Sequence, residues 1–236
     1  MAGGYSRSPK LVKGAFIELT RPFLGPVPNI ILFQYNPDKI ERTIQPWGAR
    51  SKEEDLSTPD DAQPFDPVES FSLTLELDAT DALEKPIAHP TAVVSGVADR
   101  IAALELLLYP TEESLVANVF GGRFAPRGKV PVVLFIWGPG RVVPVRLTKF
   151  NVNEEAFSQT LYPVRATVSI GLTVLNEESF KKRKKQGEEL NICEKIAVKA
   201  YDFTRNQKEL LARANMANSV ESSLGQIPLP DLQNLF

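Results

Sequence analysis

The sequence predicts a mainly β fold with flanking helices: a β-domain with one packed helix, followed by a C-terminal helical extension. Two segments, 70–78 and 164–174, alternate apolar with polar residues, which is the two-residue period of a strand with one buried face. A third segment, 130–137, is apolar throughout and is typical of a strand covered on both faces. The chain of 236 residues also has 19 prolines, which favour strands, loops and extended arms over a helical bundle.

Two strands are predicted at 10–19 and 29–35, and a shorter one follows at 42–47. Asn36-Pro37 ends the second of these strands. Proline has no N–H to donate to a sheet, and it pushes the residue before it out of the helical region. We therefore expect a turn at Asn36-Pro37.

An exposed acidic loop is predicted at about 50–67. From 50 to 66 it has two basic and six acidic residues, together with prolines. Long loops without secondary structure are uncommon in compact domains and often serve a function. Two interpretations stay open for this segment, a solvated insertion and a functional loop.

Two helices are predicted, at 91–108 and from 192 to about 214, because their apolar residues recur at spacings of three and four. Thr91 is expected to cap the first of them. After it, strands at 130–137 and 141–152 form a hairpin around Gly138-Pro139-Gly140. The apolar face of the second strand changes parity, which predicts a bulge near Thr148-Lys149.

The composition changes at residue 176, so we expect a β-domain at 1–176 and a C-terminal extension at 177–236. The extension begins with an unbroken basic run, 181–185, between acidic residues. Three roles stay open for this run: a solvated, salt-bridged helix or linker, a contact with an acidic partner surface, and a contact with nucleic acid. The tail is apolar and broken by prolines, so we expect it to need a partner surface. The candidate docking residues of the extension are Lys181, Lys182, Arg183, Lys184, Lys185, Leu232, Leu235 and Phe236.

Counting residues excludes several kinds of site. One cysteine, Cys193, and one histidine, His89, cannot form an internal disulfide or a zinc site rich in thiolates or imidazoles. The glycine motifs that hold phosphates and the nucleophile elbow of hydrolases are absent. Asp78 and Asp81 could be paired carboxylates, but their place between a strand and a helix favours a turn or capping role. We expect no catalytic residue, no cofactor and no metal.

The formal net charge is −2, so no overall basic excess points to nucleic acid. The N-terminal residues lack the apolar stretch of a secretory signal, and the longest apolar run is far shorter than the roughly 20 residues of a membrane-spanning helix. The expectation is a cytoplasmic protein that neither inserts into a membrane nor binds nucleic acid.

Five segments, in this order along the chain, resemble the tube-protein N-terminal domain of contractile injection systems, a phage-tail-like family whose baseplate adaptor members often carry a LysM module. The resemblance covers roughly 10–176. It includes the helix 91–108 and four short motifs, Phe33-Gln34-Tyr35-Asn36-Pro37, Leu75-Glu76-Leu77-Asp78-Ala79-Thr80, Val133-Leu134-Phe135-Ile136-Trp137-Gly138 and Tyr162-Pro163-Val164-Arg165-Ala166.

The resemblance implies a barrel or sandwich like that of phage tail tubes, with one packed helix, of which six copies form a ring. It also implies partners: other copies of the chain, the inner tube protein, and the spike hub and baseplate proteins. Within the motifs, Asn36 and Pro37 would shape a turn and Trp137-Gly138 would end a core strand. Arg165 would form an ion pair at a wall or an interface.

The sequence departs from the family pattern in two places. No LysM-like repeat follows residue 176, which puts peptidoglycan binding in doubt and favours docking to a neighbouring protein. Leu161-Tyr162 stands where the family usually has a glycine, so the turn there is expected to differ.

The function that these features favour is a structural subunit, not an enzyme, that forms a ring joining the inner tube to the baseplate and spike hub. Within the same machine, a tube terminator or a tube subunit is the alternative. In another class, the alternative is a β-sandwich module that binds carbohydrate. Such a module needs exposed aromatic side chains on one face.

Overall fold

The computed structural model describes residues 12–19, 29–46, 66–109, 130–176, 179–180 and 190–223. The strands are β1 (Ala15–Leu19), β2 (Asn29–Leu32), β3 (Ile40–Gln45), β4 (Val68–Asp78), β5 (Val132–Ile136), β6 (Val142–Phe157) and β7 (Pro163–Val174). The helices are α1 (Thr80–Leu83), α2 (Pro90–Ser95), α3 (Ala98–Glu105) with a 3₁₀ turn at Leu106–Leu108, and α4 (Ile192–Ser223). The mainly β fold with flanking helices and a C-terminal helix is confirmed.

The seven strands form one antiparallel sheet in the order β2-β1-β5-β6-β7-β4-β3. The sheet is rolled. Phe71 on β4 and Phe135 on β5 lie three strands apart, yet their ring centroids are 5.6 Å apart. In a flat sheet, three strand spacings would separate them by roughly 14 Å. The inner faces of distant strands therefore meet in one core, as in a barrel or sandwich.

A single short segment, 33–39, runs from one outer strand of this sheet to the other, since it joins β2 to β3. We call this segment the strap, because it holds the two edges of the rolled sheet near each other.

The core lies between the inner faces of the strands and the short helices. The side chains of β4 and β7 that face inward are almost fully buried, which confirms the alternation in the sequence. The helices α2 and α3 cover one opening of the roll, with Val97, Ile101 and Leu104 buried against the sheet. Three consecutive buried residues, 133–135, confirm that β5 is covered on both faces.

The predicted bulge is confirmed, because the register between β6 and β7 shifts between Leu147 and Lys149. The helix predicted at 91–108 is instead broken in two. Gly96 has φ 59° and ψ −119°, and Val97 has φ −102° and ψ 3°. This is the geometry of a type II′ turn, which favours glycine at its first central position. The capping role of Thr91 was wrong too, since the helix begins at Pro90 and no side chain caps it.

The C-terminal helix α4 is longer than predicted and ends at Ser223. Its start is a reciprocal capping box. The Asn191 side chain accepts the Glu194 N–H at 2.8 Å, and the Glu194 carboxylate accepts the Asn191 N–H at 3.0 Å. The part of the helix up to Lys208 packs on the sheet, mainly on β6 and β5. From Glu209 to Met216 the side chains are all exposed, so the helix runs on past the β-domain.

Candidate functional site

Asp78, the last residue of β4, is the point at which three of the family-like motifs meet. Its backbone N–H donates to Gln34 Oε1 at 3.0 Å, and its backbone carbonyl accepts from Gln34 Nε2 at 2.6 Å. The carboxylate accepts hydrogen bonds from the backbone N–H and hydroxyl of Thr80, and from Arg165 Nε at 3.0 Å. The strap, the end of β4 and the start of β7 are thereby joined at one residue.

The predicted turn or capping role of Asp78 is confirmed, because its carboxylate holds the first N–H of α1. The hydrogen bonds from Thr80 come first in lowering the pKa of Asp78, and the ion pair with Arg165 adds to them. Arg165 stays half exposed and forms an ion pair with Asp78 of the same chain, and its place at a wall or an interface stays a prediction. A lowered pKa keeps this carboxylate negatively charged near neutral pH, which suits an ion pair at a structural junction.

Asn36, in the middle of the strap, binds the residues just before β1. Its side-chain amide accepts the N–H of Gly14 at 2.9 Å and donates to the carbonyl of Val12 at 2.9 Å. The Phe33 N–H donates to the Gly14 carbonyl at 2.9 Å. The side chains of Gln34 and Asn36 therefore both bind backbone groups. Phe33, the first residue of the strap, is instead buried in the core. The chain bends at Gln34, Tyr35 and Asp38, on both sides of Asn36-Pro37, and the turn-shaping role of these two residues stays a prediction.

Trp137 and Gly138 end β5, as expected, since the strand stops at Ile136. Trp137 packs on Phe33 and Phe135, with ring centroids 6.5 and 6.3 Å apart. The backbone N–H of Trp137 donates to the Arg141 carbonyl at 2.9 Å and closes the hairpin turn. The indole is thus part of the aromatic core beneath the strap.

The start of β7 also anchors the broken helix. The Pro163 carbonyl accepts the Val97 N–H at 2.8 Å, and the Val164 carbonyl accepts the Ala79 N–H at 2.9 Å. A methyl group at Gly96 would lie 2.1 Å from the Pro163 oxygen. Gly96 is therefore required both by its backbone angles and by this contact.

The hairpin of β6 and β7 projects as a tip that we define as 156–162. Leu161 has φ 63° and Ala156 has φ 53°, both in the left-handed region. Three large side chains at the tip are exposed, those of Phe157, Leu161 and Tyr162. Leu161 thus occupies a backbone conformation that favours glycine, in the turn where the sequence departs from the family pattern.

A second polar cluster joins α4 to the β-domain. The Thr204 hydroxyl donates to the Val142 carbonyl at 2.8 Å and accepts the Val142 N–H at 3.0 Å. Lys208 Nζ lies 2.8 Å from Glu69 Oε2, and the other Glu69 oxygen accepts from Arg42. Burial raises the pKa of Glu69, but the hydrogen bonds from Lys208 and Arg42 outweigh it, so the pKa is lowered.

Beside this cluster, the Tyr201 hydroxyl donates to Asp66 at 3.0 Å, and Arg205 lies 3.2 Å from the same carboxylate. Burial, followed by the hydrogen bond to Asp66, raises the pKa of Tyr201. Charged contacts from β4 and from Asp66, just before β4, therefore hold the proximal half of α4 on the sheet.

The remaining candidate groups form no constellation. His89 and Asp81 are exposed, and Cys193 is a half-buried free thiol near the start of α4. Across the described ranges, no group of three or more histidines, cysteines and carboxylates could hold a metal ion. None of the described helices is long and apolar enough to cross a membrane.

Several predicted residues lie outside the described residues. They are the acidic loop up to residue 65 and the docking candidates Lys181, Lys182, Arg183, Lys184, Lys185, Leu232, Leu235 and Phe236. Their roles stay predictions. The sequence alone did not point to Gln34, Gly96 or Thr204. The Asn-x-x-Glu spacing at 191–194 is a local signal from which the start of α4 could have been located.

The family model described as "Contractile injection system tube protein" matches residues 21–185, which is 165 of the 236 residues. No curated protein matched the chain.

Proposed function

The chain belongs to the family of contractile injection system tube proteins, and from this premise we propose that it is a structural subunit forming a ring between the inner tube and the baseplate. The ring has six copies of the chain. It contacts the inner tube protein on one side and the spike hub and baseplate proteins on the other. The subunit works without catalysis or cofactor, inside the cytoplasm where the particle assembles.

The observation that supports a ring most directly is the free edge of β6. On the side of β5, β6 is paired only from Val142 to Val145. The following twelve residues, 146–157, have no strand partner on that side within the described part of the chain. A long unpaired edge in a native protein is usually covered or paired with another chain. Repeating the same heterologous contact around an axis closes a ring.

The exposed tip of the β6–β7 hairpin supports the same contact. Phe157 is 55% exposed and Leu161 79% exposed, at the end of a hairpin that reaches beyond its neighbouring strands. Large apolar side chains at such a position suit a protein–protein interface. We place the next subunit of the ring, or the next ring, at this tip.

The C-terminal extension favours a position of the subunit at the junction of tube and baseplate over a position within the main tube. The distal half of α4, from Glu209 to Ser223, continues for roughly 22 Å beyond the part that packs on the sheet. A subunit repeated along a tube would leave little room for it between stacked rings. A subunit that occurs once, where the tube meets the baseplate, has a partner of different shape on that side.

The alternative of a carbohydrate-binding module gains no support. Trp137 packs within the aromatic core, and Trp47 lies outside the described residues. Neither provides an aromatic platform on an exposed face of the described part.

The test is to locate the C-terminus of the chain in assembled particles by electron microscopy of a labelled chain. We expect a single site of label at the junction of tube and baseplate, and about six copies per particle. Label along the whole tube would instead identify a main tube subunit, and label at the distal end a terminator. Either result overturns the proposed position.

A pair of double variants tests the proposed interface. Phe157→Ser with Leu161→Ser removes the apolar tip, while Val93→Ser with Val94→Ser removes two comparably exposed valines from α2. We expect both variants to fold, and only the tip variant to be lost from purified particles. Normal incorporation of the tip variant would contradict the interface but not the family role.

A further inference from the structure

Helix α4 has two distinct faces. The inner face contacts the β-domain through residues at spacings of three and four, which are Glu194, Ala197, Tyr201, Thr204 and Lys208. A second, apolar face contains Ile192, Ile196, Phe203 and Leu210, which are 76%, 42%, 43% and 56% exposed. We call this second face the outer stripe.

The β-domain cannot cover the outer stripe. At 3.6 residues per turn, the centres of the two faces lie roughly 145° apart around the helix axis. The members of the stripe follow one another at intervals of four, seven and seven residues, and Ala214 continues the line four residues after Leu210. Lys199 and Gln207 lie between these members, so the stripe is a row of separate apolar side chains on an exposed helix, which suits contact with a narrow apolar segment.

We propose that the outer stripe is the docking site of the chain's own tail, residues 224–236, which runs back antiparallel along α4. The tail directly follows the last residue of the helix and lies outside the described residues. In its sequence Leu229, Leu232 and Leu235 recur every third residue, and Pro228 and Pro230 favour a polyproline II segment over a helix. Polyproline II has three residues per turn, so the three leucines share one face.

The dimensions of the two segments agree. If Leu224 and Gly225 reverse the chain, Leu232 and Leu235 lie about 22 and 31 Å back along the axis, at 3.1 Å per residue. On the helix, Leu210 and Phe203 lie about 20 and 30 Å before Ser223, at 1.5 Å per residue. In the same register, Leu229 lies at the same distance along the helix axis as Ala214, and the small side chain of Ala214 leaves room for the leucine.

The size of the stripe favours a single peptide over a second copy. Its exposed side chains present on the order of a few hundred Å², whereas a stable protein–protein contact buries about 800 Å² on each partner. A tail attached to the same helix needs less area, because the linkage gives it a high effective concentration. This assigns Leu232 and Leu235 a surface on their own chain, in place of the neighbouring protein that the sequence suggested.

The test measures disulfide formation in the full-length chain, in a Cys193→Ser background. The first pair is Gln207→Cys, on the helix beside the stripe, and Gln233→Cys, in the tail. In the proposed register both positions lie about 24 to 25 Å from Ser223 along the helix axis. The control pair is Glu209→Cys and Gln233→Cys. Glu209 lies at nearly the same height, but roughly 120° around the helix from the stripe. All three substitutions leave the apolar residues of both segments intact.

We expect the first pair to close within one chain at least about tenfold faster than the control at low protein concentration. Equal rates for the two pairs would overturn the proposal, because the tail would then not prefer the stripe. A disulfide between two chains would also overturn it and would place the tail on a neighbour. The measurement uses the isolated chain, so its result is independent of ring assembly.

Discussion

The side-chain amide of Gln34 hydrogen-bonds both the N–H and the carbonyl of Asp78, 44 residues later in the chain. It thus pairs with the backbone as a neighbouring strand would. This contact lies where the strap passes the end of β4, and it closes the rolled sheet at a point where no strand ladder does so among the described residues.

Replacing Gln34 with alanine should lower the free energy of unfolding by about 1–3 kcal/mol, because two partly buried backbone groups of Asp78 lose their partners. Urea unfolding followed by circular dichroism measures the change. Asp38→Ala, in the same strap but exposed, serves as the control and should stay within about 0.5 kcal/mol of the wild type. Equal stability of Gln34→Ala and the control would show that the amide does not hold the sheet together.

Three glycine-to-alanine variants should form a graded series. Gly140→Ala has no atom within 4 Å of the new methyl group and should change little. Gly138→Ala, at φ 77°, should cost about 1–2 kcal/mol for the left-handed backbone alone. Gly96→Ala adds a clash with the Pro163 oxygen and should cost more than about 3 kcal/mol.

Denaturant midpoints for the three variants give the order directly. A Gly96→Ala midpoint at or above that of Gly138→Ala would mean that the helix break does not depend on the contact with β7.

Thr204→Val should loosen α4 from the sheet. Valine matches threonine in shape but leaves the N–H and carbonyl of Val142 without the hydroxyl, at a cost of about 1–3 kcal/mol. Hydrogen exchange should then be faster at 192–208 and unchanged in β4 and β7. Asn206→Ala, two residues along and exposed, is the matched control. Unchanged exchange in the proximal helix would show that other contacts hold it.

The contribution of Glu69 should depend on pH. Its pKa is lower in the folded chain than the value of 4.5 expected without the fold. The stabilisation is therefore complete above about pH 4.5 and is lost as pH falls towards the folded pKa. We expect the stability difference between wild type and Glu69→Gln to be largest near pH 7 and to shrink below pH 4.5. Ser72→Ala, exposed on the same strand, controls for general effects of substitution. A difference that stays constant from pH 7 to pH 3.5 would contradict this account.

The features that the sequence predicted correctly are determined by patterns among neighbouring residues. The alternation in β4 and β7, the apolar run of β5 and the parity change at Thr148 each depend on neighbouring residues, and the structure confirms all three. The break at Gly96 was missed, because its cause is the Pro163 carbonyl, 67 residues away. Val93 and Val97 fit one helical stripe, so the local pattern hid the turn.

In the candidate site, too, some residues could be recognised from the sequence and others could not. Asn36, Pro37, Trp137, Gly138 and Arg165 were found through the family resemblance, and the structure brings them to or near the strap. The amide pairings of Gln34 and the bonds of Thr204 depend on backbone groups of distant strands. No residue spacing in the sequence predicts these hydrogen bonds, because only the folded chain brings the side chains close to the backbone groups of the distant strands.

The position of β1 in the sheet has a consequence for synthesis. β1 pairs with β2 and with β5, and more than one hundred residues separate β1 from β5 in the chain. At about 5–20 residues per second, the ribosome needs several seconds to deliver the second partner of this strand. During that interval the first hairpin exposes an apolar edge that only later strands can cover. During synthesis β1 therefore waits longer for its second sheet partner than β4 does, since β4 is completed when β7 emerges.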